Sequence, residues 1–291
     1  MMNTLLILVN RNIKLYMRDR LSVFFSFLSA LIIIMLYALF LRTNLVTSIS
    51  AEASDVKYVS WFVDSWLLAG LIVVNSITVS LGVLGLMISD RTGNRLRSFL
   101  IAPISRITIV SGYLVAAWLI GTILTIMTFI LGEIYIVING GELLSILGMF
   151  QVIGLIFLNV FSSTSIIFFL VALMKSEGAY QTFSTIVGTV IGFVTGTYVP
   201  IGILSSSIQS ITKLVPVTHG VALVRQVFMH EPTRRMFAGA PQDTILRFER
   251  FFGAQLFFGD YQCPPILMIL ILLLSGLVFM GLSVLVIIKR K

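Results

Sequence analysis

Apolar runs at 22–42, 64–88, 107–137, 144–174, 183–204 and 265–288 limit this chain to very few folds. Each reaches the roughly 20 residues that a helix needs to cross a bilayer. In hydrocarbon every backbone N–H and C=O must be paired within the protein, so only helices and closed barrels can span. Barrel strands alternate polar and apolar residues, and these runs are continuously apolar, which favours helices. Only 11% of residues are charged and the mean hydropathy is +1.05, whereas a soluble domain carries about 25% charged residues. The expected fold is therefore an all-α integral membrane domain, 1–291, with six transmembrane helices.

The net charge of +8 does not point to nucleic acid, because the basic residues lie at segment ends and not in one patch interleaved with aromatics. Arg11, Lys14, Arg18 and Arg20 precede the first run. Arg91, Arg95, Arg97 and Arg106 separate the second from the third, and Lys289, Arg290 and Lys291 follow the last. Short basic segments stay in the cytoplasm, while 139–142 has no Lys or Arg, so both termini are expected inside. The longer segment 205–263 is expected outside. Trp61, Phe62 and Trp66 fit an aromatic belt at the outer surface, and Asp64 and Glu133 fall near predicted outer ends. The first charge, Arg11, follows apolar residues instead of preceding them, unlike a signal peptide. Cys263, the single cysteine, has no disulfide partner within the chain.

Between and beside the runs lie amphipathic pieces. In 1–20, Leu5, Val9, Ile13 and Tyr16 share one side and Arg11, Lys14 and Arg18 another, which predicts an N-terminal interface helix. In 90–106, Gly93 supplies a turn, Leu96, Phe99 and Leu100 form a short apolar stripe, and Pro103 ends it. Such a helix, lying across the membrane surface, binds lipid headgroups or docks into a groove on a protein. In the fifth run Ser184, Gly188, Gly192 and Gly196 form a small-xxx-small ladder suited to close helix packing, with Pro200 as the breaker. From 205 to 227 the chain is apolar but interrupted by Pro216 and Gly220, the pattern of a re-entrant helical hairpin. The stretch 245–258 then sets Phe248, Phe252 and Leu256 on one face of an outer interfacial helix. No internal repeat of the kind found in many secondary transporters is visible.

Catalytic chemistry finds no footing in these residues. None of the lysines follows a glycine, as the phosphate-binding lysine of a P-loop must. His219 and His230 have no metal-ligand spacing, and no serine has a neighbouring base. In Asp90, Arg91, Gly93, Leu96, Phe99, Pro103, Ile104 and Ser105 the chain resembles the coupling-helix region of ABC-2 transporter permeases, particularly exporters of drugs and lipophilic products. In Gly196, Tyr198, Pro200, Pro216, Thr218, His219, Leu223 and Arg225 it resembles the segment after their fifth span.

That resemblance implies a non-catalytic permease subunit in a bacterial plasma membrane, one of a homodimer or heterodimer, in contact with membrane lipids. Two copies of a separate ATP-binding subunit would hold ATP and Mg, leaving this chain with no cofactor. Arg91, Gly93, Arg95, Leu96, Arg97, Phe99, Leu100 and Pro103 would contact that ATPase. Asn75, Thr78 and Gly82, with Thr185, Thr189 and Phe193, would line the pathway. Gly188, Gly192 and Gly196 would pack helices, and Pro200, Pro216, His219 and Arg225 would shape the hairpin. Lipid or polysaccharide export is the alternative within this class, and an intramembrane enzyme is the alternative outside it.

Overall fold

A computed structural model describes residues 2–50, 56–93, 95, 101 and 104–289. Leu96, Arg97, Phe99, Leu100 and Pro103, expected in the coupling helix, lie outside the described residues. The helices are α1 (Met2–Arg18), α2 (Arg20–Leu36), α3 (Arg42–Ser50), α4 (Val56–Thr92), α5 (Arg106–Ile138), α6 (Ile146–Leu173), α7 (Glu177–Val194), α8 (Ser206–Leu214), α9 (Pro216–Met236), α10 (Gln242–Phe251) and α11 (Pro265–Lys289). A π-helical turn, Tyr37–Leu41, joins α2 to α3, and a two-residue antiparallel hairpin, Phe257–Phe258 with Tyr261–Gln262, precedes α11.

Helix starts follow local chemistry. The side chains of Asp19, Ser105, Ser145 and Ser176 each accept from a backbone N–H in the first turn of α2, α5, α6 and α7, meeting donors that have no partner within the helix. Pro216 opens α9 at a position where a missing N–H costs nothing.

Among the described residues, five helical stretches are long and apolar enough to cross a membrane: Arg20–Ser50, Tyr58–Thr92, Arg106–Ile138, Ile146–Leu173 and Pro265–Ile287. The fifth expected span, 183–204, is not among them. Its helix, α7, begins earlier, at Glu177, and ends at Val194, ahead of the Pro200 expected to break it. Gly196 takes φ +66°, its N–H bonds Phe193 O, and Thr197 N–H bonds Gly192 O. This is a Schellman stop, in which a left-handed glycine lets the chain turn back and satisfy the last carbonyls.

The glycine ladder is accordingly not a continuous packing face. A Cβ at Gly192 would run into the Tyr198 ring of the same returning segment, whereas Gly188 has nothing within 4 Å of that position.

The centre of the bundle is α4, surrounded by α5, α6, α9, α7 and α3, with Phe62, Leu68, Ile72 and Leu84 completely enclosed. Small hydroxyl residues stitch it to its neighbours: Ser76 Oγ meets Ser163 Oγ at 3.1 Å, and Ser80 Oγ meets Thr164 Oγ1 at 2.9 Å. Gly121 faces Val160 at the α5–α6 contact, and Gly276 of α11 faces the Phe161 ring. Helices in lipid gain little from the hydrophobic effect between themselves, so close approach and interhelical hydrogen bonds averaging about 0.6 kcal/mol carry the packing.

At one end of α4 the buried Asp64 accepts from Arg42 Nε at 2.9 Å and Nη2 at 3.0 Å. Arg42 immediately follows the π turn, a local widening that changes the direction of the residues after it. Trp61, Phe62 and Trp66, expected in an aromatic belt, are instead buried. Phe248 and Phe252 close over Phe62, and Arg235 lies over Trp61.

The glycine geometry yields a contrast. Gly196→Ala must place a side chain in the left-handed region and against Ile201, costing at least about 1–2 kcal/mol. Gly188→Ala removes a flexible residue from an open helix face and is expected to stabilise by roughly 0.5–1 kcal/mol. Thermal unfolding of the purified variants measures both, and equal melting temperatures would contradict the assignment.

Candidate functional site

At the opposite end of α4 the N-terminal helix is fastened to the bundle. The buried stripe of α1 is Leu8, Val9, Asn12 and Tyr16, rotated from the expected Leu5, Val9, Ile13 and Tyr16 stripe because a polar residue takes part. Asn12 Nδ2 donates to Gly112 O at 3.1 Å, and Leu8 rests against the bare Cα of Gly112 on α5. Arg11, expected on the basic side of an interface helix with Lys14 and Arg18, grips Asp90 in a two-pronged pair, Nη1 to Oδ2 at 2.6 Å and Nη2 to Oδ1 at 3.0 Å. Tyr113 Oη donates to the same carboxylate at 2.7 Å, and Arg95 Nη1 approaches it at 3.5 Å.

Asp90 occupies the last turn of α4, where the helix dipole disfavours negative charge. It is also almost fully enclosed, so its ionised form depends on these donors. The carboxylate in turn raises the Arg11 guanidinium pKa above its ordinary value. The pairing joins α1, α4 and α5 immediately before the 94–103 segment. Two of the expected coupling residues join this end: Arg95 through Asp90, and Arg91 by donating to Met174 O at 2.6 Å past the end of α6. Gly93 supplies the turn, its N–H bonded to Ser89 O.

Beside this node lies a cleft of about 300 Å³, lined by Tyr16, Ser22, Phe25, Ser26, Thr78 and Gly82. It is bounded by α1, the start of α2 and the middle of α4. Its polar groups are hydroxyls, with Tyr16 Oη and Ser26 Oγ 2.9 Å apart and Thr78 Oγ1 donating to Asn75 O. Among the described residues no charged one lines it. A side chain at Gly82 would face the Tyr16 hydroxyl, so glycine keeps the cleft open at that point.

The cleft contains two of the six expected pathway residues, Thr78 and Gly82. Asn75 turns inward and donates to Thr128 Oγ1 of α5 at 2.9 Å. Thr185, Thr189 and Phe193 lie on an exposed face of α7, where the two threonine hydroxyls bond the carbonyls one turn back and Phe193 meets Tyr198 edge to face. That face is directed away from α4, which α7 meets through Tyr180, close to Gly85.

The hairpin residues gather at the other end of the molecule. His219 is buried and its Nε2 lies 2.9 Å from Lys213 O, closing α8 onto α9. Pro200 precedes a 3-10 turn, Ile201–Ile203. Arg225 is fully enclosed against Trp66. Sequence reasoning missed Asn12, Tyr113 and the role of Arg11; the signal available for Arg11 was its place between Val9 and Ile13, beside the expected apolar stripe. Among the described residues no group of three His, Cys, Asp or Glu side chains could hold a metal.

Charge-assisted bonds of this kind contribute about 1.5–3 kcal/mol each. Asp90→Ala is expected to strand Arg11 and lower the melting temperature of the purified protein, and Arg11→Ala to leave a buried carboxylate with a similar result. The exchange Arg11→Asp with Asp90→Arg is expected to recover part of the loss. A melting temperature unaffected by either single change would show that α1 is held by its apolar contacts alone.

A profile described as ABC-2 family transporter protein matches residues 42–285. No curated protein matches the chain. The match takes in four of the expected apolar runs and most of the last, the 94–103 segment and the whole hairpin region, and with the apolar helices described above it identifies a multi-pass membrane component of an ABC transporter, working with an ABC ATP-binding subunit. The chain belongs to the ABC-2 transporter family.

Proposed function

We propose that this chain is the permease of an ATP-driven exporter that moves a hydrophobic or amphipathic compound out of the cell. The cleft beneath α1 carries the reading. It offers an aromatic face and hydroxyl groups and, among the described residues, no charge, which suits a greasy molecule with a few neutral polar groups. A charged cargo would need a compensating side chain in that low-dielectric space. The fastening of α1 through Asp90 supports an input of mechanical work at the same end, since a push on the 94–103 segment would reach α1, α4 and α5 together through one carboxylate.

In this scheme both termini and the 94–103 segment are cytoplasmic, and 205–263 is outside. Leu96, Phe99 and Leu100 enter a groove on the ATPase, flanked by Arg91, Gly93, Arg95 and Arg97 and ended by Pro103. Two permeases and two ATPases complete the assembly, with ATP and Mg on the ATPases. The exposed α7 face with Thr185, Thr189 and Phe193 meets the second permease across a central space.

The purified chain alone is expected to hydrolyse no ATP and to support hydrolysis and transport only when reconstituted with its ATPase. Burying an apolar side chain at the docking contact is worth about 1.5–3 kcal/mol, so Phe99→Asp should abolish co-purification with the ATPase. Thr78→Trp should fill the cleft and reduce transport of lipophilic dyes while leaving the complex assembled. Retention of the full transport profile by Thr78→Trp would remove the cleft from the pathway. Uptake of lipid or oligosaccharide but not of dyes into inverted vesicles would redirect the cargo assignment.

A further inference from the structure

Arg225 sits on α9 with no accessible surface. Its guanidinium is met by one carbonyl, Gly196 O at 2.6 Å from Nη2, and by the Trp66 ring at 4.8 Å. Nε and Nη1 are buried with no hydrogen-bond partner among the described residues. Among the described residues no carboxylate pairs with it, in contrast to the guanidinium groups of Arg11, Arg42 and Arg235. A carbonyl and an indole face recover only part of the hydration that a cation gives up, and a donor left unpaired keeps its full desolvation cost. The packed arrangement therefore holds a charge that water would stabilise better.

Position gives this cost a direction. The guanidinium touches two of the left-handed glycine turns of this end: Gly196, which ends α7 and begins the hairpin, and Gly253, whose missing Cβ makes room for Nη1. Ile201 abuts both turns as well. Separating α9 from these turns and from Trp66 would admit water to Nε and Nη1 together, and would break the bond from Gln226 Nε2 to Ala254 O at 2.8 Å and the contact of Ala222 and Leu223 with Ile201.

We propose that Arg225 is a loaded latch of the hairpin end: its incomplete solvation in the packed state biases α9 to part from the Gly196 and Gly253 turns, so that opening this end requires less work. The inference rests on the permease reading for its purpose but not for its test. The protein carries its own reporter. Cys263 is the single cysteine of the chain and is fully buried in a cluster with Ile201, Ala222 and Leu223, so parting of α9 uncovers it.

The test uses the full-length chain in lipid nanodiscs, with the rate of Cys263 modification by a small water-soluble maleimide and the melting temperature as readouts. Arg225→Met keeps length and packing without the charge. It is expected to slow labelling by roughly tenfold, equivalent to about 1.4 kcal/mol, and to hold or raise the melting temperature. Arg225→Lys keeps a charge that hydrates more strongly and stacks less well, and is expected to speed labelling. Faster labelling and a lower melting temperature in Arg225→Met would make the arginine a structural pin and overturn the proposal, as would labelling rates unchanged in both variants. Because neither readout needs cargo or ATP, a failed transport assay would count against the exporter reading and not against the latch.

Discussion

Two buried carboxylates, Asp64 and Asp90, mark the two ends of α4, and each is held by an arginine from the N-terminal part of the chain. An ionised carboxylate enclosed by apolar helices is costly to maintain alone, so the pairing partner has to come to it. Arg42 can do so because the π turn precedes it, and Arg11 because α1 lies flat against α4 and α5. The two pairs add charged anchors for α1 and for the first membrane helix with α3, the latter the less enclosed: the stretch Arg20–Ser50 buries only a small share of its residues within the chain.

The bundle beneath depends on small residues. Gly112 admits Leu8, Gly121 admits Val160, Gly276 admits Phe161, and Gly85 admits the Tyr180 ring. Hydroxyls at Ser76, Ser80, Ser163 and Thr164 use the same closeness to bond across helices. Lipid tails solvate apolar side chains as well as other helices do, so specificity in such a core comes from shape and from a few polar contacts.

The two ends of α4 differ in how they treat charge. Asp90 is fully supplied with donors, and the node is suited to carrying force without changing its own bonding. Arg225 is undersupplied, and its surroundings are two glycine turns that can rearrange at low backbone cost. On the proposed reading, a fully paired end beside the 94–103 segment and an underpaired end at the hairpin would let the hairpin end open without loosening the end that drives it.

The sequence by itself determined the class of structure and, closely, the bounds of the helices read at 107–137, 144–174 and 265–288. Continuous apolar length forces helices in lipid, and Asp19, Ser105, Ser145, Ser176 and Pro216 mark starts through bonds to their own first turns. The end of α7 was also written locally, in Gly196, but the later Pro200 is the more visible breaker and drew the boundary too far. Only the tertiary structure decided the rest: that Arg11 faces Asp90 and not solvent, that Asn75 bonds Thr128, that Trp66 lies under Arg225, and that Thr78 and Gly82 share a cleft with Tyr16. Capping and helix formation are satisfied within a few residues of the chain. A buried charge or amide is satisfied by whichever partner the packing brings near, and sequence spacing carries no record of that choice.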